Sequence, residues 1–205
     1  VLERFGIDAH GVAAIPPNVN DKSLTTLIDK GIVGARIMDL TGGAYDFSYI
    51  KDLDQKTSGN ELMIAVQFDG NTITEKFSTL MNLKSNFVID HHGKFFKPIE
   101  VNSIEVDRLK QLIDRGNCWY KFAGCYEASA IGAPHYTDVA KIASLIAEYA
   151  PERIIWGTNW PHNGAKSQED YPNDMDLLDL ALDWVPTEHH KRLLVHNPAE
   201  LFRFA

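Results

Sequence analysis

Residues 86–94 read NFVIDHHGK, an apolar run suited to a buried strand that breaks into Asp90, His91, His92 and Lys94 around Gly93. A strand buried on both faces reads as a near-continuous hydrophobic run rather than an alternating one. By that criterion 86–91 is one of six such strands, the others being 11–15, 33–38, 62–68, 118–123 and 153–157. Segments with helical spacing lie between them. In 21–30, Leu24, Leu27 and Ile28 form one stripe behind Asp21, a residue able to cap the first turn. Residues 103–115 carry Ile104, Leu109, Leu112 and Ile113 behind Ser103 as cap, and 138–149 carry Val139, Ile142, Ala143, Ile146 and Ala147. Helices over 174–185 and 187–195 follow, and Asn197-Pro198 opens a last short one.

Repeated strand–helix units mean parallel strands. A doubly wound nucleotide-binding sheet needs a Gly-rich turn after an early strand. The nearest candidate, Thr41-Gly42-Gly43, matches neither the dinucleotide nor the P-loop fingerprint and reads as a plain turn. A (β/α)8 barrel instead collects polar residues where its strands end. The strand ends here read ARIMD (Arg36, Asp39), VQFDG (Gln67, Asp69), VIDHHGK, YKFAGCYE (Lys121, Tyr126, Glu127) and IIWGTNWPHN (Asn159, His162, Asn163). The fold class is therefore α/β, of the (β/α)8 TIM-barrel type, with six βα units visible in one domain over 1–205. The opening VLERFGIDAHGVAAI reads as a helix end, a stop at Gly6 and then a strand. The sequence is thus expected to begin in mid-fold, with two N-terminal units missing from the barrel.

Composition narrows the function. Of 205 residues, 44% are hydrophobic and 23% charged, an ordinary globular balance. Twenty Lys and Arg face 28 Asp and Glu, giving a net charge of -8. With no basic cluster, a nucleic-acid partner is not expected. No apolar run approaches the roughly 20 residues of a membrane span, so no membrane partner is expected either. Cys118 and Cys125 fit neither a CxxC motif nor a disulfide framework, which makes a reducing cytoplasm the simplest location.

VIDHHGK, WYKFAGCYE, IIWGTNWPHN and the closing HNPAELF together resemble the amidohydrolase-related family of metal-optional barrel hydrolases, which includes lactonases and lactone isomerases. The resemblance runs from the GVAAI strand to the end and implies the third to eighth strands of such a barrel. Two departures matter. Metal-using members carry a His-x-His pair on the first strand, whereas His91-His92 and His189-His190 are adjacent. The family's last strand often ends in WGTDWPH, whose Asp is a base or metal ligand, and Asn159 stands there in this sequence. An amide does not accept a proton at neutral pH. No cofactor is expected in this chain, and zinc only if a His-x-His segment precedes it; one His does not make a zinc site.

Each candidate residue has a structural reading beside its functional one. His91 ends a strand on the face it shares with Ile89, while Val88 and Asp90 share the other; it meets substrate as base or acid, or is a hydrogen-bonded core histidine. His92 points away or into the loop. Asn159 and His162 sit over the barrel mouth beyond Gly157 and Thr158, unless Trp156 and Trp160 merely form a plug. Arg36 is costly to bury without an anion, so it binds a substrate carboxylate or pairs internally with Asp39 or Asp69. Lys121 lies opposite Tyr120 and Phe122 and either stabilises an oxyanion or snorkels outward. Gln67 and Tyr126 complete the substrate-binding set, Glu127 is a weaker candidate, and Asp69-Gly70 doubles as a turn cap. The cysteines, His10 and His135 carry no motif, and His189, His190 and Lys191 read as a solvated helix face. Loops 94–102 and 163–172 exceed a plain connection and suit specificity elements.

The expected activity is hydrolysis of a lactone of a carboxylated small molecule. His91, Asn159 and His162 would be catalytic, and Arg36, Lys121, Gln67 and Tyr126 would hold substrate. A lactone isomerase and a decarboxylase are alternatives of the same superfamily. From another class comes a non-catalytic barrel completed by a partner chain, and a homo-oligomer is left open.

Overall fold

The computed structural model describes residues 1–165, 167 and 171–204. Its six strands are β1 (Gly11–Ala13), β2 (Ile32–Asp39), β3 (Met63–Phe68), β4 (Phe87–Ile89), β5 (Cys118–Phe122) and β6 (Ile154–Trp156). They pair in sequential order β1-β2-β3-β4-β5-β6, every pair parallel. Parallel neighbours need a crossover, and helices supply it. The helices are α1 (Leu2–Phe5), α2 (Asp21–Asp29), α3 (Ile50–Ser58), α4 (Ile73–Leu80), α5 (Ile104–Asp114), α6 (Cys125–Ala128), α7 (Thr137–Tyr149), α8 (Asp174–Asp183) and α9 (Asn197–Phe202). The result is a curled half-barrel. Among the described residues, no helix is long and apolar enough to cross a membrane.

Side-chain alternation sorts each strand into two faces. Ala35, Ile37, Ile64, Val66, Phe87, Ile89, Tyr120 and Phe122 pack with the stripes of α2–α5 and α7 in the main core. Met63, Ala65, Val88, Trp119 and Ile155 form a second cluster on the concave face, closed below by Leu201 and Phe202 of α9. Continued to the strand ends, that concave face carries Arg36, Gln67, Asp90 and Lys121.

The six expected strands are all present, five of them one to three residues shorter than expected and β2 two residues longer. Ser103 caps α5, accepting from the Val106 amide. The α2 cap differs: Asn20, not Asp21, accepts from the Ser23 amide at 2.8 Å, because its extended backbone places it just outside the first turn. α3, α4 and the short α6 are additional to the expected helices; the charged residues Lys51, Asp52 and Lys56 dilute the apolar stripe of α3, whose buried side is Ile50, Leu53, Thr57 and an Asp54 that accepts from the Lys84 and Ser85 amides. The expected helix at 187–195 is present but changes winding along its length, tight 3-10 at Thr187–His189 and wide π at Arg192–His196, and runs on into α9. His190 is not solvated there: its Nε2 reaches the Leu182 and Val185 carbonyls at 3.0 and 2.9 Å.

Candidate active site

The strand ends meet at Asp90. Its carboxylate is buried and lies 3.2 Å from Arg36 Nη2, 3.1 Å from Lys121 Nζ and 3.1 Å from His91 Nδ1. Burial alone would raise its pKa. Lys121, the hydrogen bond from His91 and the charges of His91 and Arg36 outweigh burial and hold the carboxyl far below the usual aspartate range. Arg36 also donates to Gln67 Oε1 at 2.7 Å. The internal partner of Arg36 is thus Asp90 rather than Asp39 or Asp69. Asp39 pairs with Lys76 at 2.8 Å, and Asp69 caps the turn at Gly70–Thr72. Arg36 and Lys121 against one carboxylate leave a net positive charge, to which a protonated His91 would add, and the Arg36 and Lys121 side chains are still 31% and 27% exposed.

His91 enters this site by breaking the strand. Alternation holds through Ile89, which faces the helices, so strict continuation would send His91 there too. Instead the chain turns left-handed, with φ 53° at His91, 51° at His92, 73° at Gly93 and 45° at Lys94. A second left-handed pair, Asn159 at 67° and His162 at 58°, follows β6. Such backbone is uncommon away from glycine and clusters at functional sites. It brings His91 Nε2 within 2.7 Å of Asn159 Oδ1. Gly124, left-handed at φ 59°, lets them meet: a Cβ there would lie 2.8 Å from Asn159 Nδ2 and 2.9 Å from His91 Cδ2.

The same turn sends His92 the other way, into the helix-side core against Tyr120, Phe122 and Trp184. Tyr120 donates to the His92 carbonyl at 2.7 Å. Burial, aided by His91, pushes the His92 pKa down to about 3, so it is neutral near pH 7.

Hydrogen bonds fix the remaining orientations. Asn159 Nδ2 donates to Glu127 Oε1 and to the Tyr126 hydroxyl, both at 2.8 Å. A carboxylate only accepts, so Glu127 forces the amide NH2 toward itself and the amide oxygen toward His91. That oxygen also only accepts; the proton between the two side chains therefore sits on His91 Nε2. Glu127 is in turn paired with Lys94. Burial opposes its ionisation, but Lys94, Asn159 and His91 leave its pKa below the usual glutamate value. Tyr126 continues the line, its hydroxyl 2.8 Å from His162 Nδ1, while His162 Nε2 lies 3.2 Å from Asp174 Oδ1.

All seven expected site residues, His91, Asn159, His162, Arg36, Lys121, Gln67 and Tyr126, thus lie in one connected polar cluster. Asp90, Lys94, Glu127 and Asp174 join it. Alternation along β4 pointed to Asp90, since Val88 faces inward. Asp174 had no sequence signal beyond standing at a helix start. Among the described residues no three His, Cys, Asp or Glu side chains converge as a metal site would need. Asp90, the carboxylate nearest His91, is already held by two cations, so the residues as placed do not fit a divalent ion. Cys118 and Cys125 are buried and free. Burial raises both thiol pKa values, that of Cys125 to about 12, which makes them inert. Of loop 163–172, residues 166 and 168–170 lie outside the described residues.

A sequence profile for the family described as amidohydrolase matches residues 2–204. The chain is 46% identical over 205 residues to a D-galactarolactone isomerase of Agrobacterium fabrum, covering all of this chain and 70% of that protein. It is 31% identical over 195 residues to a 4-sulfomuconolactone hydrolase of Hydrogenophaga intermedia, covering 93% of this chain and 64% of that one. An apo crystal structure of an Agrobacterium tumefaciens protein superposes with a TM-score of 0.93 at 45% identity, over all of this chain and 73% of that one.

Proposed function

The chain belongs to the amidohydrolase family, and from that premise we propose that it acts on a lactone of a carboxylated small molecule, moving the acyl group within the substrate rather than delivering it to water. In such an isomerisation a second hydroxyl of the substrate attacks the lactone carbonyl and the ring C–O bond breaks. One proton passes from the attacking hydroxyl to the departing ring oxygen. No net water is consumed.

The observation that carries this reading is the fixed amide of Asn159. At position 159, where the family's last strand often carries an Asp, is a group that accepts no proton and is locked by Glu127 and Tyr126. The 46% identity to a lactone isomerase agrees with it. The uncompensated charge of the Arg36, Lys121 and Asp90 cluster suits a substrate carboxylate, bidentate on the guanidinium. His91, with its proton on Nε2, acts as a donor to the carbonyl oxygen as negative charge develops there. Hydrolysis is the second reading, favoured by the name of the 31% identical relative.

The test is product analysis on lactones of sugar dicarboxylic acids. A shifted lactone supports isomerisation, whereas a ring-opened acid supports hydrolysis. Carbon dioxide release would point to a decarboxylase and overturn both. Replacing His91 with Ala is expected to lower kcat about 10²–10⁴-fold, the range of a positioned proton donor. A loss smaller than tenfold would return His91 to a structural role.

A further inference from the structure

Isomerisation needs a group that takes a proton from one oxygen and returns it to another, and neither Asn159 nor the already protonated Nε2 of His91 does so. A chain of three side chains on the other flank of the site has the required directionality. Asn159 Nδ2 donates to the Tyr126 oxygen, so the phenolic proton is free to point elsewhere. His162 Nδ1 is 2.8 Å from that oxygen. The opposite nitrogen, Nε2, is 3.2 Å from Asp174 Oδ1, a buried carboxylate oxygen with no hydrogen bond of its own and therefore available to accept from that nitrogen. With its one proton drawn to Nε2 by Asp174, a neutral His162 presents a bare Nδ1 to the Tyr126 hydroxyl. His162 is buried, only 4% exposed, and its backbone is left-handed at φ 58°.

We infer that Tyr126, His162 and Asp174 form a directed proton relay, in which Asp174 is the positioning residue that selects the His162 tautomer. The inference rests on the isomerase reading for its chemical purpose. As the substrate hydroxyl attacks the acyl carbon, its proton passes to the Tyr126 oxygen while the Tyr126 proton passes to His162 Nδ1. The imidazolium so formed faces the Asp174 carboxylate. When the ring C–O bond breaks, the departing oxygen takes a proton from Tyr126, which recovers its own from His162. Every proton is returned and no external reactant is needed. The tyrosine thereby shuttles a proton without resting as a phenolate.

The tautomer of His162 and the chemistry are separable by experiment. Nitrogen-15 NMR of histidine-labelled protein is expected to show His162 protonated at Nε2 and bare at Nδ1. Asp174→Ala should let the Nδ1-protonated form appear and lower kcat at least tenfold with little change in KM. Asp174→Asn, whose amide oxygen still accepts from Nε2, should restore the tautomer but only part of kcat. The Asp174 side chain is 41% exposed at the start of α8, so these variants are expected to fold. Tyr126→Phe should match or exceed the kcat loss of Asp174→Ala. A wild-type His162 protonated at Nδ1, or an Asp174→Ala variant with unchanged kcat, would overturn the relay. A correct tautomer in a protein that leaves every lactone unrearranged would overturn the isomerase reading and the relay's catalytic use, while upholding the tautomer assignment.

Discussion

An asparagine has one amide oxygen that accepts and one NH2 that donates twice, and at position 159 every one of these is spoken for. The oxygen meets His91, and the NH2 meets Tyr126 and Glu127. The residue therefore orients its neighbours rather than exchanging protons with them. Replacing it with Asp would remove the two donations and set a second carboxylate beside Glu127, where like charges raise one of the two pKa values. The variant gains a proton acceptor at the centre of the site. Asn159→Asp is expected to slow isomerisation and to yield ring-opened acid, measured as the ratio of the two products. An unchanged ratio would mean that the amide does not decide the fate of the acyl group. Asn159 and His162 were both legible from their place after the last visible strand. The direction of each hydrogen bond was not, because it depends on Glu127 and Asp174, which approach from other elements.

At the scale of elements, the site is made by turns that leave the strands left-handed. β4 ends in such a turn and delivers His91 to one side and His92 to the other. Strict alternation placed His91 and Asp90 on opposite faces; the turn cancels that separation, so that Asp90 meets Lys121 while His91 meets both Asp90 and Asn159. The β5–α6 junction contributes Gly124, whose missing side chain is the space that Asn159 and His91 share. Gly124→Ala adds a methyl at 2.8 Å from Asn159 Nδ2 and 2.9 Å from His91 Cδ2, along with about 1–2 kcal/mol of left-handed strain. The expected outcome is a folded protein with at least a hundredfold lower kcat, checked by steady-state kinetics alongside circular dichroism. Full activity would show that the His91–Asn159 contact is not used in turnover.

At the scale of the whole molecule, burial of ionisable groups ties stability to pH. The His92 pKa is lowered from 6.5 to about 3 in the fold. Between those values the unfolded chain binds a proton that the folded one refuses, so stability is lost as pH falls from about 6.5 toward 3. Asp90 acts in a lower window. Its folded pKa lies below the ordinary 3.8, so its contribution is present above that value and is lost as pH falls further. Urea unfolding at pH 7.5 and at pH 5 is expected to give a clear drop in stability for the wild type. His92→Phe, which keeps an aromatic ring among Tyr120, Phe122 and Trp184, should remove most of it. An equal drop in the variant would place the acid sensitivity elsewhere.

What the sequence by itself determined is what local chemistry encodes. Apolar runs bounded by polar ends specify six strands, because a strand buried on both faces leaves no other pattern. Ser103 and Pro198 mark helix starts through the amides they satisfy or lack, and the gathering of polar residues at the strand ends indicates the barrel edge that forms the site. The motifs at those ends were enough to indicate the family. What only the tertiary structure decided is how the ends meet. Arg36 pairs with Asp90 across two strands rather than with Asp39 nearby in sequence, and Asp174 reaches His162 from the start of α8. The left-handed turn at His91 reverses the face that alternation had assigned to it. These outcomes depend on distances between elements and on backbone conformations that the surrounding packing imposes, and neither is written in the order of residues along one strand.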